Sequence, residues 1–263
     1  MKQIDPGHWL PFLEEIADRA DEIALRLFRA QNLQVEEKVD LSPVTEADRA
    51  IEEVAQNLLR EHHPDLGIYG EEYGEQAGSG NTRLIIDPID GTRNFVRGIP
   101  IFATLLAIEE DGEVIAGLVT APALRTRWKA ARGYGAYCGK RRLYVSRIRD
   151  LPKAHLFHGT LGGSGESLPP GSIFNLMRQV QRTRGFGDFY QHVLVAEGAG
   201  EVAIDPAVKP WDIAPLQVIV EEAGGQATTL TGQRSIYGGS LVSSNGLLHG
   251  KVLSILADPR QPH

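Results

Sequence analysis

The middle of the chain constrains the fold most. Residues 102–108 and 114–120 are two β-rich runs flanking Glu110-Asp111-Gly112, a composition that makes a hairpin turn. Residues 128–131 and 134–137 repeat the pattern around Arg132-Gly133, and the apolar run Leu84-Ile85-Ile86 precedes them both. These segments predict a meander of antiparallel strands. Helical periodicity lies on either side of it. Leu10, Leu13, Ile16, Ala17, Ala20, Ile23, Ala24, Leu27 and Phe28 recur at 3.6 residues, with Glu14, Asp18, Asp21 and Arg26 between them, which predicts a helix over 10–28. Thr45-Glu46-Ala47-Asp48 supplies a cap hydroxyl and an acid three residues on, opening a second helix. Its buried stripe is Ile51, Val54, Ala55, Leu58 and Leu59, and His62-His63-Pro64-Asp65 ends it.

After the meander, residues 172–182 and 192–199 read as helices on either side of Gly185-Phe186-Gly187-Asp188, and residues 213–223 as another stopped by Gly224-Gly225. Strands are expected at 226–230 and 241–244, with a closing helix over 247–256. Helices before and after more than one sheet imply a layered α+β architecture, here one domain over 1–263 with halves of about 1–145 and 146–263. Residues 75–81 (Glu-Gln-Ala-Gly-Ser-Gly-Asn) have the composition of a mobile loop, and no internal repeat is present.

Composition excludes several classes. A single cysteine, Cys138, rules out a disulfide framework. Acidic residues outnumber basic ones by 34 to 27, a formal charge of −7, which argues against a nucleic-acid partner. Lys2 is the only cation before Asp5 and no apolar segment follows, so no secretory signal is expected. The apolar run at 213–220 is broken by Pro215 and Gln217 and is too short to span a bilayer. A cytoplasmic protein without a membrane partner is the expectation.

The chemistry concentrates at Asp87-Pro88-Ile89-Asp90-Gly91-Thr92. Two aspartates three apart, at the end of a buried strand and held in a Pro/Gly turn, suit a hard cation such as Mg²⁺, which prefers oxygen ligands in rigid geometry. A surface turn in which Asp caps backbone amides accounts for the same string equally well. Gly70-Glu71-Glu72 follows a short apolar step, and Trp211-Asp212 opens the helix over 213–223. Plain N-capping by Asp212 and a solvated pair at Glu71-Glu72 are the ordinary accounts of those acids.

Taken together, Gly70-Glu71-Glu72, Asp87-Pro88-Ile89-Asp90-Gly91-Thr92-Arg93-Asn94-Phe95, Trp211-Asp212-Ile213-Ala214 and Glu222-Ala223-Gly224-Gly225 resemble the inositol monophosphatase family of Mg²⁺-dependent, lithium-sensitive phosphatases. The resemblance extends to Ser42-Pro43-Val44-Thr45-Glu46-Ala47-Asp48 and so covers nearly the whole chain. It implies a layered α/β/α/β sandwich of the inositol monophosphatase / fructose-1,6-bisphosphatase type. It also implies roles. Glu71, Asp87 and the Ile89 carbonyl hold one Mg²⁺; Asp87, Asp90 and Asp212 hold a second; two or three ions bind in all. Gly91 and Thr92 bind phosphate, and Thr92 with Glu71 orients and deprotonates the attacking water, Asp87 bridging the metals. The partner implied is a small-molecule phosphate monoester, and the assembly a homodimer.

Gly185-Phe186-Gly187-Asp188-Phe189-Tyr190 resembles the histidinol-phosphate phosphatase branch of that family. Asp188 then suits a cationic leaving group, and Asp205 matches an acid that family members use to bind substrate hydroxyls or amines. A helix cap ahead of His192 is the alternative for Asp188, and a partly buried helical histidine the simpler account of His192. An inositol-1-phosphatase of broad specificity and a 3′-phosphoadenosine 5′-phosphate phosphatase are the other enzymes of this type. A metal-binding regulatory protein without turnover is the alternative outside enzymes.

Overall fold

The computed structural model describes residues 5–39, 41–160 and 171–257. A two-stranded ribbon pairs β1 (Val35–Glu37) with β2 (Pro43–Thr45). The meander is the heart of an eight-stranded sheet made of β3 (Gly67–Gly70), β4 (Gly74–Gln76), β5 (Thr82–Asp90), β6 (Ala103–Glu110), β7 (Glu113–Ala121), β8 (Thr126–Ala131), β9 (Gly135–Cys138) and β10 (Arg141–Arg142), in the order β10-β9-β8-β7-β6-β5-β3-β4. All its pairs are antiparallel except β3 with β5. A second, five-stranded sheet contains β11 (His155–His158), β12 (Arg182–Gly185), β13 (Val202–Asp205), β14 (Gln226–Thr228) and β15 (Leu241–Ser244), in the order β12-β11-β13-β15-β14.

The helices are α1 (Leu10–Leu27), α2 (Glu46–His62), α3 (Thr92–Val96), α4 (Ser172–Gln179), α5 (Asp188–Ala196), α6 (Pro210–Glu222) and α7 (His249–Leu256). Their apolar faces sort them into layers. Leu13, Ile16 and Ala20 of α1 and Ile51 and Ala55 of α2 share one core with Leu84, Ile86, Leu106 and Leu118 of the large sheet. On the opposite face Ile85, Leu105 and Val119 pack with Phe189 and Val193 of α5 and Ile213, Leu216 and Val220 of α6. Ile173 and Leu176 of α4 and Val252 and Leu256 of α7 cover the outer face of the small sheet at Leu156, Val202 and Val242. The order is therefore the α/β/α/β sandwich expected, with α4 and α7 as a further outer layer.

Helix α6 approaches the large sheet closely because β7 has a glycine opposite it. A Cβ on Gly117 would lie 2.6 Å from Val218 Cγ1 and 2.9 Å from the Pro215 Cα. No larger residue leaves that gap.

Three sequence expectations need correction. The helix expected over 172–182 stops at Gln179, and Arg182 instead begins β12, which pairs in parallel with β11. The helix expected from His192 begins at Asp188. The segment 75–81 is not wholly loop: Glu75 and Gln76 belong to β4, paired antiparallel with β3, and the Ser79 amide bonds the Asp65 carbonyl at 2.9 Å. No helix among the described residues is long and apolar enough to cross a membrane.

Candidate functional site

Along β5 the side chains alternate. Leu84 and Ile86 face α1 and α2, while Ile85 faces α6. Asp87 follows Ile85 to the α6 side. Asp90, three residues on, would point the other way in a regular strand. The register with β6 shifts between them, Asp87 opposing Leu105 and Asp90 opposing Ala103, so β5 carries one extra residue. This bulge at Pro88-Ile89 re-aims the strand and turns both aspartates to one side. Asp212 meets them from the first turn of α6, where its Oδ2 accepts the Lys209 amide at 2.7 Å. Capping is thus a real role of Asp212, and its carboxylate serves the cluster as well. One oxygen from each of Asp87, Asp90 and Asp212 lies within 4.8 Å of the others.

Asp87 is shut off from water, whereas Asp90 and Asp212 are half-buried. Asp87 is 2% exposed, and its Oδ1 has no hydrogen-bond partner among the described residues. Removal from water, then the charges of Glu71, Asp90 and Asp212, push the Asp87 carboxyl well above the usual range. Asp90 is raised by burial and by Asp188 and Asp212, although its Oδ2 accepts the Phe189 amide at 2.6 Å. Burial raises Asp212 to about 7. An orphaned buried oxygen amid three converging carboxylates is an all-oxygen donor set that lacks only positive charge, and it fits a hard divalent cation such as Mg²⁺.

Glu71 follows β3, and its amide bonds the Ile86 carbonyl at 3.3 Å, which sets it beside Asp87. Its Oε1 accepts from Lys38 Nζ at 2.8 Å, and the same ammonium reaches Glu72 Oε1 at 2.7 Å. Burial works against the charge on Lys38, but the two carboxylates outweigh it and hold the ammonium above its ordinary range. Glu71 is therefore adjacent to the aspartate group and outside it. Thr92 opens α3 after Gly91, whose φ of +80° suits glycine. The Thr92 hydroxyl donates to the Ile89 carbonyl at 2.8 Å and lies 3.4 Å from Asp48 Oδ1. Asp48 Oδ2 accepts the Thr45 amide at 2.8 Å and the Thr45 hydroxyl at 2.6 Å, completing the capping box expected for α2. Burial raises Asp48 to about 6.

Asp188 stands at the start of α5 with φ +50° and makes no cap hydrogen bond, so the capping account does not hold. Its Oδ2 accepts from Asn94 Nδ2 at 3.0 Å, and the same amide group bonds the Ile101 carbonyl at 2.9 Å. Burial, then the charge of Asp205, raises Asp188 to about 6. Asp205, at the end of β13, accepts at Oδ2 from Gln191 Nε2, and the same oxygen lies 3.1 Å from His192 Nε2. His192 is 1% exposed and its Nδ1 lies 2.8 Å from Ser243 Oγ, so it supports Asp205 from inside the core.

Sequence reasoning missed three residues here: Lys38, Asn94 as the partner of Asp188, and Glu52. For Asp48 the sequence predicts a cap and a place in the resembling segment 42–48, but no contact with Thr92. An acid one helical turn after Asp48, next to the apolar stripe position Ile51, was the available signal for Glu52; Lys38 had none, being 33 residues from Glu71.

The model of the inositol monophosphatase family matches residues 5–260 of the chain. The chain is 45% identical over 246 residues to the histidinol-phosphatase of Mycobacterium tuberculosis, a match covering 92% of this chain and 95% of that one. It is 33% identical to the inositol-1-monophosphatase of Mesorhizobium japonicum, over 87% of this chain and 88% of the other. Among solved structures, the extragenic suppressor protein SuhB of Bartonella henselae superimposes with a TM-score of 0.88 at 31% identity, covering 94% of this chain and 98% of that one.

Proposed function

The chain belongs to the inositol monophosphatase family and is a phosphoric monoester hydrolase, and from that premise we propose that it converts L-histidinol phosphate to L-histidinol and phosphate with Mg²⁺ as cofactor. The observation that carries the choice of ester is Asp188. Its carboxylate is held by Asn94 next to Asp90, not spent on capping its helix. Histidinol has an amine and an imidazole, both able to be cationic, whereas inositol has neither. The 45% identical histidinol-phosphatase supports the same choice.

In this reading Glu71, Asp87, the Ile89 carbonyl, Asp90 and Asp212 hold two or three Mg²⁺ ions. Mg²⁺ bound there supplies positive charge against the phosphoryl and leaving-group oxygens. The chain does the rest. The backbone amides of Gly91 and Thr92, at the start of α3, donate to phosphate oxygens. The Thr92 hydroxyl and the Glu71 carboxylate orient the attacking water, and Asp48, 3.4 Å from that hydroxyl, is placed to receive its hydrogen bond. Asp188 and Asp205 meet the cationic end of the substrate, Asp205 being kept in place by Gln191 and His192. A single domain of two halves, a homodimeric assembly, a cytoplasmic location and a place in histidine biosynthesis complete the proposal.

The test is Asp188→Ala assayed on two esters. Losing a hydrogen-bonded charge is worth about 1.5–3 kcal/mol, so KM for histidinol phosphate should rise about 10- to 150-fold. KM for inositol-1-phosphate should stay within about twofold, since no cation is lost from that complex. Equal increases on both substrates reject the proposal in favour of an inositol-1-phosphatase of broad specificity. Turnover of the 3′-phosphoadenosine ester alone would reject both.

A further inference from the structure

Helix α2 carries a second buried acid whose use is not explained by the helix. Glu52 lies one turn after Asp48 on the same face and is fully buried. No lysine or arginine pairs with it among the described residues. Instead both oxygens turn to the backbone after β3: Oε2 accepts the Glu72 amide at 2.9 Å and Oε1 the Tyr73 amide at 3.1 Å. Two successive amides converging on one side-chain carboxyl group clamp the turn to the helix, and burial pushes that group up to about 7.

The residue before that clamp shows how closely it is fitted. A Cβ on Gly70 would sit 2.0 Å from Glu52 Oε1 and 2.3 Å from its Cδ. Only glycine leaves room for the carboxylate against the chain. Glu71 is thereby fixed on both sides. Its own amide is tied to the Ile86 carbonyl, and the next amide is tied to Glu52. With the backbone pinned before and after it, the direction in which the Glu71 side chain leaves the turn is set.

We propose that Glu52 is the positioning residue for Glu71, its buried carboxylate fixing where the Glu71 carboxylate stands beside Asp87 and so setting the affinity of the site for a divalent cation. The proposal rests on the reading of Glu71 as a metal ligand. Glu52 touches neither substrate nor metal; it acts only through the turn 70–73. Groups that orient ligands from behind change metal affinity about 10- to 100-fold when removed.

The experiment is a Mg²⁺ titration of the purified full-length chain by calorimetry, comparing wild type, Glu52→Gln, Glu52→Asp and Glu71→Gln, with KM and kcat measured at saturating Mg²⁺ and melting measured in EDTA. Glu52→Gln should weaken Mg²⁺ about 10- to 100-fold. Glu52→Asp, which keeps the charge but shortens the reach, should weaken it less. In both, KM for the phosphate ester should be unchanged and kcat should recover at high Mg²⁺. Weaker Mg²⁺ binding in Glu71→Gln with wild-type binding in both Glu52 variants overturns the positioning role alone. Wild-type binding in Glu71→Gln overturns the ligand reading beneath it. A lower melting temperature in EDTA with unchanged Mg²⁺ affinity, or failure of both Glu52 variants to fold, overturns the proposal too, because the carboxylate then supports the fold and not the ligand.

Discussion

Asp87→Asn separates the electrostatics of the candidate site from its shape. The side chains are nearly isosteric, and the change removes one negative charge from a group in which the oxygens of Asp87, Asp90 and Asp212 lie within 4.8 Å of each other. At an effective dielectric of about 20, two unit charges at that separation repel by about 3.5 kcal/mol. Asp87 faces two such neighbours and Glu71 besides. Protonation relieves much of this in the metal-free protein, since all three aspartates titrate well above the ordinary range. The new amide can also donate toward a neighbouring carboxylate, where Asp87 Oδ1 now has no partner. The expected gain is about 1–3 kcal/mol, or roughly 3–9 °C in Tm for a chain of this size. Differential scanning fluorimetry in EDTA at neutral pH reads it. Wild type should then be stabilised by added Mg²⁺, as any ligand of the native state stabilises it, whereas the variant should respond little and release no phosphate. A variant that melts at or below wild type in EDTA refutes the reasoning, because the cluster would then not be under mutual repulsion.

Two further outcomes test other parts of the molecule. Thr92→Val removes the hydroxyl that donates to the Ile89 carbonyl; kcat should fall by about 10²–10⁴ while stability drops by only about 1 kcal/mol, and a kcat within threefold of wild type counts against a role in orienting water. His249 is buried with Nδ1 at 2.8 Å from Ser244 Oγ and Nε2 at 2.8 Å from Thr228 Oγ1, and burial lowers its pKa. The unfolded chain therefore takes up a proton near pH 6.5 that the folded chain resists. The stability His249 gives is present above that pH and is lost as pH falls toward its folded pKa. Melting temperatures between pH 7.5 and 5.5 should fall more steeply in wild type than in His249→Gln, and parallel slopes would exclude this histidine as a source of acid sensitivity.

Much of the fold was legible because its strongest signals are local. The hairpin β6/β7 falls where its turn residues put it, α2 opens on the Thr45–Asp48 box, and α6 ends ahead of Gly224-Gly225. The small sheet was harder to see. β11 and β12 are four-residue strands carrying His155, His158, Arg182 and Arg184, and they pair in parallel across more than twenty intervening residues, so no hairpin turn marks them. In the candidate site, the spacing of Asp87 and Asp90 named the right residues but not their common side, which depends on a bulge in the pairing with β6. The network around Asp188 was invisible for a similar reason: Asn94 is 94 residues away, and only the packing of α3 against the start of α5 brings the two together.

The contact of Gly117 with Pro215 and Val218 bears on how the protein can change over generations. Gly117 sits in a β7 position with no polar partner to serve, yet the distance between β7 and α6 is set there, and α6 carries Asp212 three residues before Pro215. Any side chain at 117 lifts the helix from the sheet, and with it the carboxylate that completes the cluster. A residue of no chemical function thus bears on where an acid of the cluster stands. Mutational tolerance along this chain follows the height of one helix above one sheet, as well as the list of groups that touch a ligand.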